Sequence, residues 1–225
     1  MKRSFAAALA VLVLLAVPAL ARAFALQLSF PGGGWMWPED SDFRKIYDRG
    51  APGGMEIAVD AEAWRGLAVS ILYRRLETTA ESKRSLVDFA FREESVELGP
   101  TYRFKYVGWV YPYASARLFY LSAWERISDG VFTFKMSDEL GGLHGEVGAE
   151  FYPFYWARGG APGLGVYLGG YYQAVLFGGS ATNPAKSDRF GVIDVLSGFG
   201  LRFGITYRWD WDLYKRQGPI FGKKR

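Results

Sequence analysis

Apolar and polar residues alternate with a period of two along most of this 225-residue chain. The clearest run lies near the C-terminus, where Phe199, Leu201, Phe203, Ile205, Tyr207 and Trp209 alternate with Gly198, Gly200, Arg202, Gly204, Thr206 and Arg208. Successive side chains of a β-strand point to opposite faces, so one face of this segment is apolar and the other is glycine and charge. No helical period accommodates that pattern. Upstream, Leu164, Val166, Leu168, Tyr172 and Leu176 oppose Gly165, Tyr167, Gly169, Tyr171 and Gln173. Leu143, Val147, Ala149 and Phe151 oppose His144, Glu146, Gly148, Glu150 and Tyr152. Pro112, Ala114, Ala116, Leu118 and Tyr120 oppose Tyr113, Ser115, Arg117 and Phe119, and Val96, Leu98, Pro100, Tyr102 and Phe104 oppose Ser95, Glu97, Gly99, Thr101 and Arg103. Leu67, Val69, Ile71 and Tyr73 oppose Ala68, Ser70 and Arg74, and Ile57, Val59 and Ala61 oppose Glu56, Asp60 and Glu62. The first strand, about Leu26 to Trp37, is interrupted by glycines and is the least regular of the eight.

The connections alternate in length. Short ones fall at Trp64-Arg65-Gly66, around Lys105 to Gly108 and around Tyr155 to Pro162; long ones fall at about residues 38–53, 79–90, 125–141 and 178–193. An even number of strands joined this way describes an up-and-down barrel with both termini at the short-turn end.

Alternation alone does not say which face is inside. Three features place the polar face there. It is rich in glycine, which weakens a solvated strand surface but fits a narrow eight-stranded lumen. Its charges nearly balance: Glu56, Asp60, Glu62, Glu97, Glu146 and Glu150 against Arg74, Arg103, Arg117, Arg202 and Arg208, with His144 added. Such a set reads as an enclosed ion-pair network, since an unpaired charge there costs several kcal/mol. Aromatics also gather at strand ends: Tyr102, Phe104, Tyr106 and Trp109; Phe151, Phe154, Tyr155 and Trp156; Tyr207, Trp209 and Trp211. Tyr and Trp favour the bilayer–water interface. The predicted fold class is therefore all-β, an eight-stranded antiparallel up-and-down transmembrane β-barrel.

The N-terminus agrees with export. Lys2 and Arg3 precede the apolar run Phe5 to Leu20, and Ala21-Arg22-Ala23 supplies a small-x-small cleavage pattern. Residues 1–23 read as a signal peptide, 24–211 as the barrel and 212–225 as a basic C-terminal tail. Without the leader's Lys2, Arg3 and Arg22, 24 of the 27 basic residues remain against 23 acidic ones. The formal charge of +4 thus falls to +1, which gives no basis for a nucleic-acid partner. The chain has no cysteine, so stability must come from a closed hydrogen-bonded structure and not from disulfides.

The segment Arg202-Phe203-Gly204-Ile205-Thr206-Tyr207-Arg208-Trp209 resembles the last-strand signal read by the barrel-assembly machinery: a polar residue, a glycine two later, then spaced aromatics. Arg202, Gly204, Tyr207 and Trp209 carry that resemblance. With the strand pattern, it makes the mature chain similar to the small outer-membrane β-barrel family that includes the OmpA transmembrane domain, OmpX and OmpW. The resemblance implies a place in the bacterial outer membrane, a monomer, and contact with membrane lipid, lipopolysaccharide and the assembly machinery.

Candidate chemistry is sparse. Gly163-x-Gly165-x-x-x-Gly169 and Gly198-x-Gly200-x-x-x-Gly204 keep every glycine on one strand face, whereas a dinucleotide fingerprint needs a strand-to-helix turn. His144, the only histidine, shares a face with Glu146 and Glu150. Two strand residues of that spacing lie about 7 Å apart, close enough to share a metal, but a filled lumen offers no substrate path. A polar network is the simpler reading. Some small barrels modify lipid A, and the deacylases among them pair His and Ser two residues apart; here Gly145 and Glu146 follow His144. Ser41 with Phe43, Ile46 and Tyr47 could form a short capped helix over the barrel mouth. Val131 to Met136 alternates after the turn pair Asp129-Gly130, extending strands beyond the membrane. The expectation is a non-enzymatic barrel with no cofactor or metal, acting in envelope structure or surface interaction through its loops. The alternatives are a lipid A-modifying enzyme and a small channel or lipid-ligand carrier.

Overall fold

Each alternating segment forms a strand, and the strands close on themselves. The structure, a computed structural model, describes residues 23–38, 53–64, 66–81, 87–104, 109–129, 131–154, 163–178 and 197–210. The strands are β1 (Ala23–Pro38), β2 (Gly53–Trp64), β3 (Leu67–Glu81), β4 (Asp88–Arg103), β5 (Val110–Ser128), β6 (Thr133–Phe151), β7 (Leu164–Gly178) and β8 (Gly198–Asp210). Each pairs antiparallel with its successor, and β8 returns to β1 to complete a closed barrel. Closure leaves no row of unpaired edge amides, which is the condition for a sheet to sit in lipid.

Register is continuous along most pairs and breaks where glycine permits. The closing seam runs Phe24↔Trp209 and Leu26↔Tyr207, then shifts between Leu28 and Gly34 in the glycine-rich stretch of β1. On the β6–β7 seam, Gly141 pairs Phe177 and Gly142 pairs Val175, so Leu176 is an extra residue in β7. Such a bulge bends a strand and increases its twist. The β2–β3 turn depends on Gly66, whose φ of +90° few L-residues adopt and whose Cβ position would lie 2.4 Å from the Arg103 carbonyl oxygen. Its amide donates to Glu62 Oε1 at 2.7 Å, and its carbonyl accepts from the Arg103 amide at 2.8 Å.

Two connections are shorter than expected: of the stretch 79–90 only residues 82–87 lie between β3 and β4, and the larger difference is between β5 and β6. The stretch 125–141, read as a long loop, is mostly strand: β5 and β6 each run 19 residues, and only residues 129–132 separate them. The Asp129 carboxylate accepts from the amides of Val131 (2.9 Å) and Phe132 (2.6 Å), and the Asp129 amide donates to the Phe132 carbonyl. These bonds close the hairpin tightly enough for the alternation to continue to its tip, and they hold the Asp129 carboxyl below its ordinary range. The leader, the segment from Ser41 to Tyr47 and the C-terminal tail, with Tyr106, Tyr155, Trp156 and Trp211, lie outside the described residues.

The facing of side chains is that of a barrel turned inside out. Leu98, Leu118, Val147 and Leu168 are 53–66% exposed on the outer surface, while Arg74, Arg117 and Arg202 are at most 1% exposed inside. Apolar residues of all strands make a continuous outer band, bordered at the end bearing the termini by Trp64, Tyr102, Phe104 and Trp109. Tyr102 and Phe104 pack edge to face there.

Candidate functional site: the charged lumen

The antiparallel register brings the inward charges together in three tiers. Nearest the termini, Arg103 reaches Asp60 and binds Glu150 at 2.7 Å through Nη2 and 3.1 Å through Nε. Tyr152 donates to Glu150 at 2.8 Å and Gln27 donates to it at 2.9 Å. Arg208 pairs with Glu62 and lies over the Tyr111 ring.

The middle tier centres on Glu146. Its Oε2 accepts from Arg117 Nη1 at 2.7 Å and Arg202 Nη1 at 2.8 Å, and its Oε1 accepts from the Tyr113 hydroxyl at 2.6 Å. Arg202 also donates through Nε to Glu56 at 2.7 Å and through Nη2 to Gln27 at 3.3 Å, linking this tier to the first. His144 stands between two carboxylates, with Nδ1 3.1 Å from Glu97 and Nε2 3.7 Å from Glu146. In the third tier Arg74 binds Glu93 at 2.8 Å, touches Glu97 at 3.5 Å and reaches Gln173. The Tyr171 ring stacks on His144 with centroids 4.7 Å apart and also carries the Arg74 guanidinium.

Room for these side chains comes from inward glycines. A Cβ on Gly169 would sit 2.5 Å from Glu146 Oε1, and one on Gly200 would sit 2.0 Å from the Tyr171 ring. The glycines of the polar face are thus the sockets into which rings and carboxylates of the neighbouring strand fold.

All twelve charged residues that strand parity assigned to the lumen point inward, eleven of them buried and Glu62 partly so. Sequence pattern missed others. Glu93, Glu125 and Gln27 are also buried inside. So is an apolar layer above the third tier, toward the loop end: Met36, Leu76, Phe91, Phe119, Leu121, Ala123 and Leu140. The lumen is therefore not polar throughout, and it is closed at this level by packed hydrocarbon.

The arrangement is suited to rigidity more than chemistry. The carboxylates flanking His144 are already held by guanidinium groups of Arg74, Arg117 and Arg202. A metal ion there would have to displace those cations.

No protein-family model matches the sequence, and no curated protein does. Solved structures do match. One is Ail, the attachment invasion locus protein of Yersinia pestis, at 15% identity and a TM-score of 0.51, over 84% of this chain and 99% of that one. Another is the outer membrane protein OprG from Pseudomonas aeruginosa, at 13% identity and a TM-score of 0.55, over 84% of this chain and 96% of that one. At these identities the likeness is one of fold: the chain has the eight-stranded barrel architecture of small bacterial outer-membrane proteins.

Proposed function

We propose that this chain is a non-catalytic protein of the bacterial outer membrane, a rigid barrel that presents its loop end at the cell surface for envelope or surface interactions. The observation that carries the reading is the inverted facing: an apolar belt exposed outside and a cross-linked set of charges buried inside. In water the belt would be a large aggregation-prone surface; in a bilayer it is the solvated face. The same inversion argues against a carrier of apolar ligands, because the interior is filled by ion pairs. The layer around Phe91, Phe119 and Leu121 argues against an open channel, since it packs across the lumen at the loop end of the charges.

In this reading residues 1–23 direct export and are removed, leaving a monomer that meets lipid and lipopolysaccharide on its flanks. Arg202, Gly204, Tyr207 and Trp209 in β8 form the signal taken by the assembly machinery. The twelve-residue charge set is a stabilising network and not an active site.

A deletion strain tests the functional reading. The expected result is unchanged lipid A mass together with altered surface binding or envelope permeability. Restoring the chain with residues 129–132 replaced by a neutral turn should restore the barrel to the membrane but not the full surface phenotype. A change in lipid A acylation or headgroup mass that follows the gene would overturn the non-catalytic reading.

A further inference from the structure

The seam that closes the ring is also one whose ladder is interrupted. On the β8 side of β1, Leu28 pairs with Ile205 and Gly34 with Arg202; on the β2 side, Ser29 pairs with Glu56 and Gly34 with Gly54. Residues 30–33 therefore pair with neither neighbour, and both registers are displaced by three residues across them. The shifts on the β2–β3 and β6–β7 pairs displace the register by only one. Ladder hydrogen bonds thus hold β1 on either side of this break and not across it. Local opening of a folded protein starts where such bonds are fewest.

β1 carries no charged residue, so no ion pair ties it directly to either neighbour. The charges pass over it instead. Arg202 stands at one border of the break, opposite Gly34, and Glu56 at the other, opposite Ser29. Arg202 Nε donates to Glu56 at 2.7 Å, which joins β8 to β2 with β1 between them. Through Nη2 the same guanidinium donates to Gln27 on β1 at 3.3 Å, and through Nη1 to Glu146 on β6 at 2.8 Å. A planar guanidinium serves several acceptors in fixed directions, which a point charge does not. Nearer the termini Arg208 pairs with Glu62, again from β8 to β2. Neither tie depends on the interrupted ladder, and each resists the parting of β8 from β1 that the ladder resists least.

We propose that Arg202–Glu56 and Arg208–Glu62 form a two-point clasp that keeps the closing seam shut where the β1 ladder is interrupted. Release of the clasp opens the barrel between β1 and β8 before any other seam. The tie at the break is the stronger of the two. Arg202 and Glu56 are at most 1% exposed, and separating them would leave a carboxylate uncompensated in the lumen, whereas Glu62 is only partly buried.

The test reads amide hydrogen exchange strand by strand, by mass spectrometry, on the purified chain refolded into phosphatidylcholine vesicles. Wild type is compared with Arg202→Met, Glu56→Met and Arg74→Met. The last removes an equally buried cation whose partners, Glu93, Glu97 and Gln173, lie on β4 and β7. The expected result is exchange at least tenfold faster in β1 and β8 for Arg202→Met, with β4 and β5 protected as in wild type. Glu56→Met removes the same tie from the β2 side and should give the same local pattern. It leaves Arg202 its bond to Glu146, so it is the milder change and carries the test if Arg202→Met does not fold. Arg74→Met should leave β1 and β8 as protected as in wild type. Faster exchange spread evenly over all strands would make the pair a general stabiliser and overturn the clasp. A seam that stays fully protected in a folded clasp variant, or that opens as far in Arg74→Met, would overturn it too.

Discussion

At the residue scale, neighbouring positions in β8 carry opposite tasks. Arg202 is fully buried and bonds both Glu56 and Glu146, whereas Phe203 is 42% exposed on the outer face. Replacing Arg202 with Met leaves Glu56 without the guanidinium that faces it, and breaking a buried pair from one side costs about 3–5 kcal/mol. Phe203→Tyr keeps the ring on a surface already open, with an expected cost below about 1 kcal/mol. Urea unfolding of both variants in lipid vesicles checks the contrast. A second pair tests the sockets. Gly200→Ala drives a methyl into the Tyr171 ring and should destabilise by about 1–3 kcal/mol. Gly145→Ala, whose Cβ meets nothing within 4 Å, should be close to neutral. Strand parity read from the sequence put Arg202 and Phe203 on opposite faces. It did not give the partners Glu56 and Glu146, which lie 146 and 56 residues away and depend on register around the whole ring.

At the scale of elements, a period of two was legible wherever one face is apolar and the other polar, as in β8. It was lost where both faces are alike. Phe119, Tyr120 and Leu121 are all apolar or aromatic because this part of β5 faces hydrocarbon outside and an apolar layer inside. Arg92, Glu93 and Glu94 are all charged because this first part of β4 lies on the loop side of the belt, so inward Glu93 did not stand out. The β5–β6 hairpin was legible from its turn, Asp129-Gly130, and from the alternation of Val131 to Met136, though not in its full length. There a pH prediction follows. The Val131 and Phe132 amides hold the Asp129 carboxyl below its ordinary range, so the bonds stabilise the tip above the pKa of a free aspartate and are lost as pH falls through the depressed value. Amide chemical shifts of Val131 and Phe132 should titrate together, below the usual aspartate midpoint; titration at the ordinary value would mean that the bonds do not persist in solution. Strand connectivity also fixes sidedness. A tag inserted after Ser82, between β3 and β4, should be accessible on intact cells, and one after Arg65 in the Gly66 turn should not. The reverse labelling would place the short turns outside.

At the scale of the whole molecule, the sequence shows one barrel, and the structure shows what divides its interior. Three tiers of ion pairs fill the terminal end and the middle, and a hydrocarbon layer caps them toward the loops. An up-and-down connection keeps every seam between sequence neighbours except the β1–β8 closure, so the fold could be read without knowing long-range contacts. The interior could not, because its layers join residues from opposite walls. The central claim is that the outer face of this barrel is the one solvated by lipid. Absence of cysteine allows single-cysteine spin labels to be placed at Leu118, Leu168 and Val131 without a background. Their collision rates with lipid-soluble oxygen and with a water-soluble nickel complex, measured in vesicles, report the surroundings directly. The account predicts oxygen dominance at Leu118 and Leu168 and nickel dominance at Val131, on the hairpin tip. Nickel dominance at Leu118 and Leu168 would contradict it and return the chain to water.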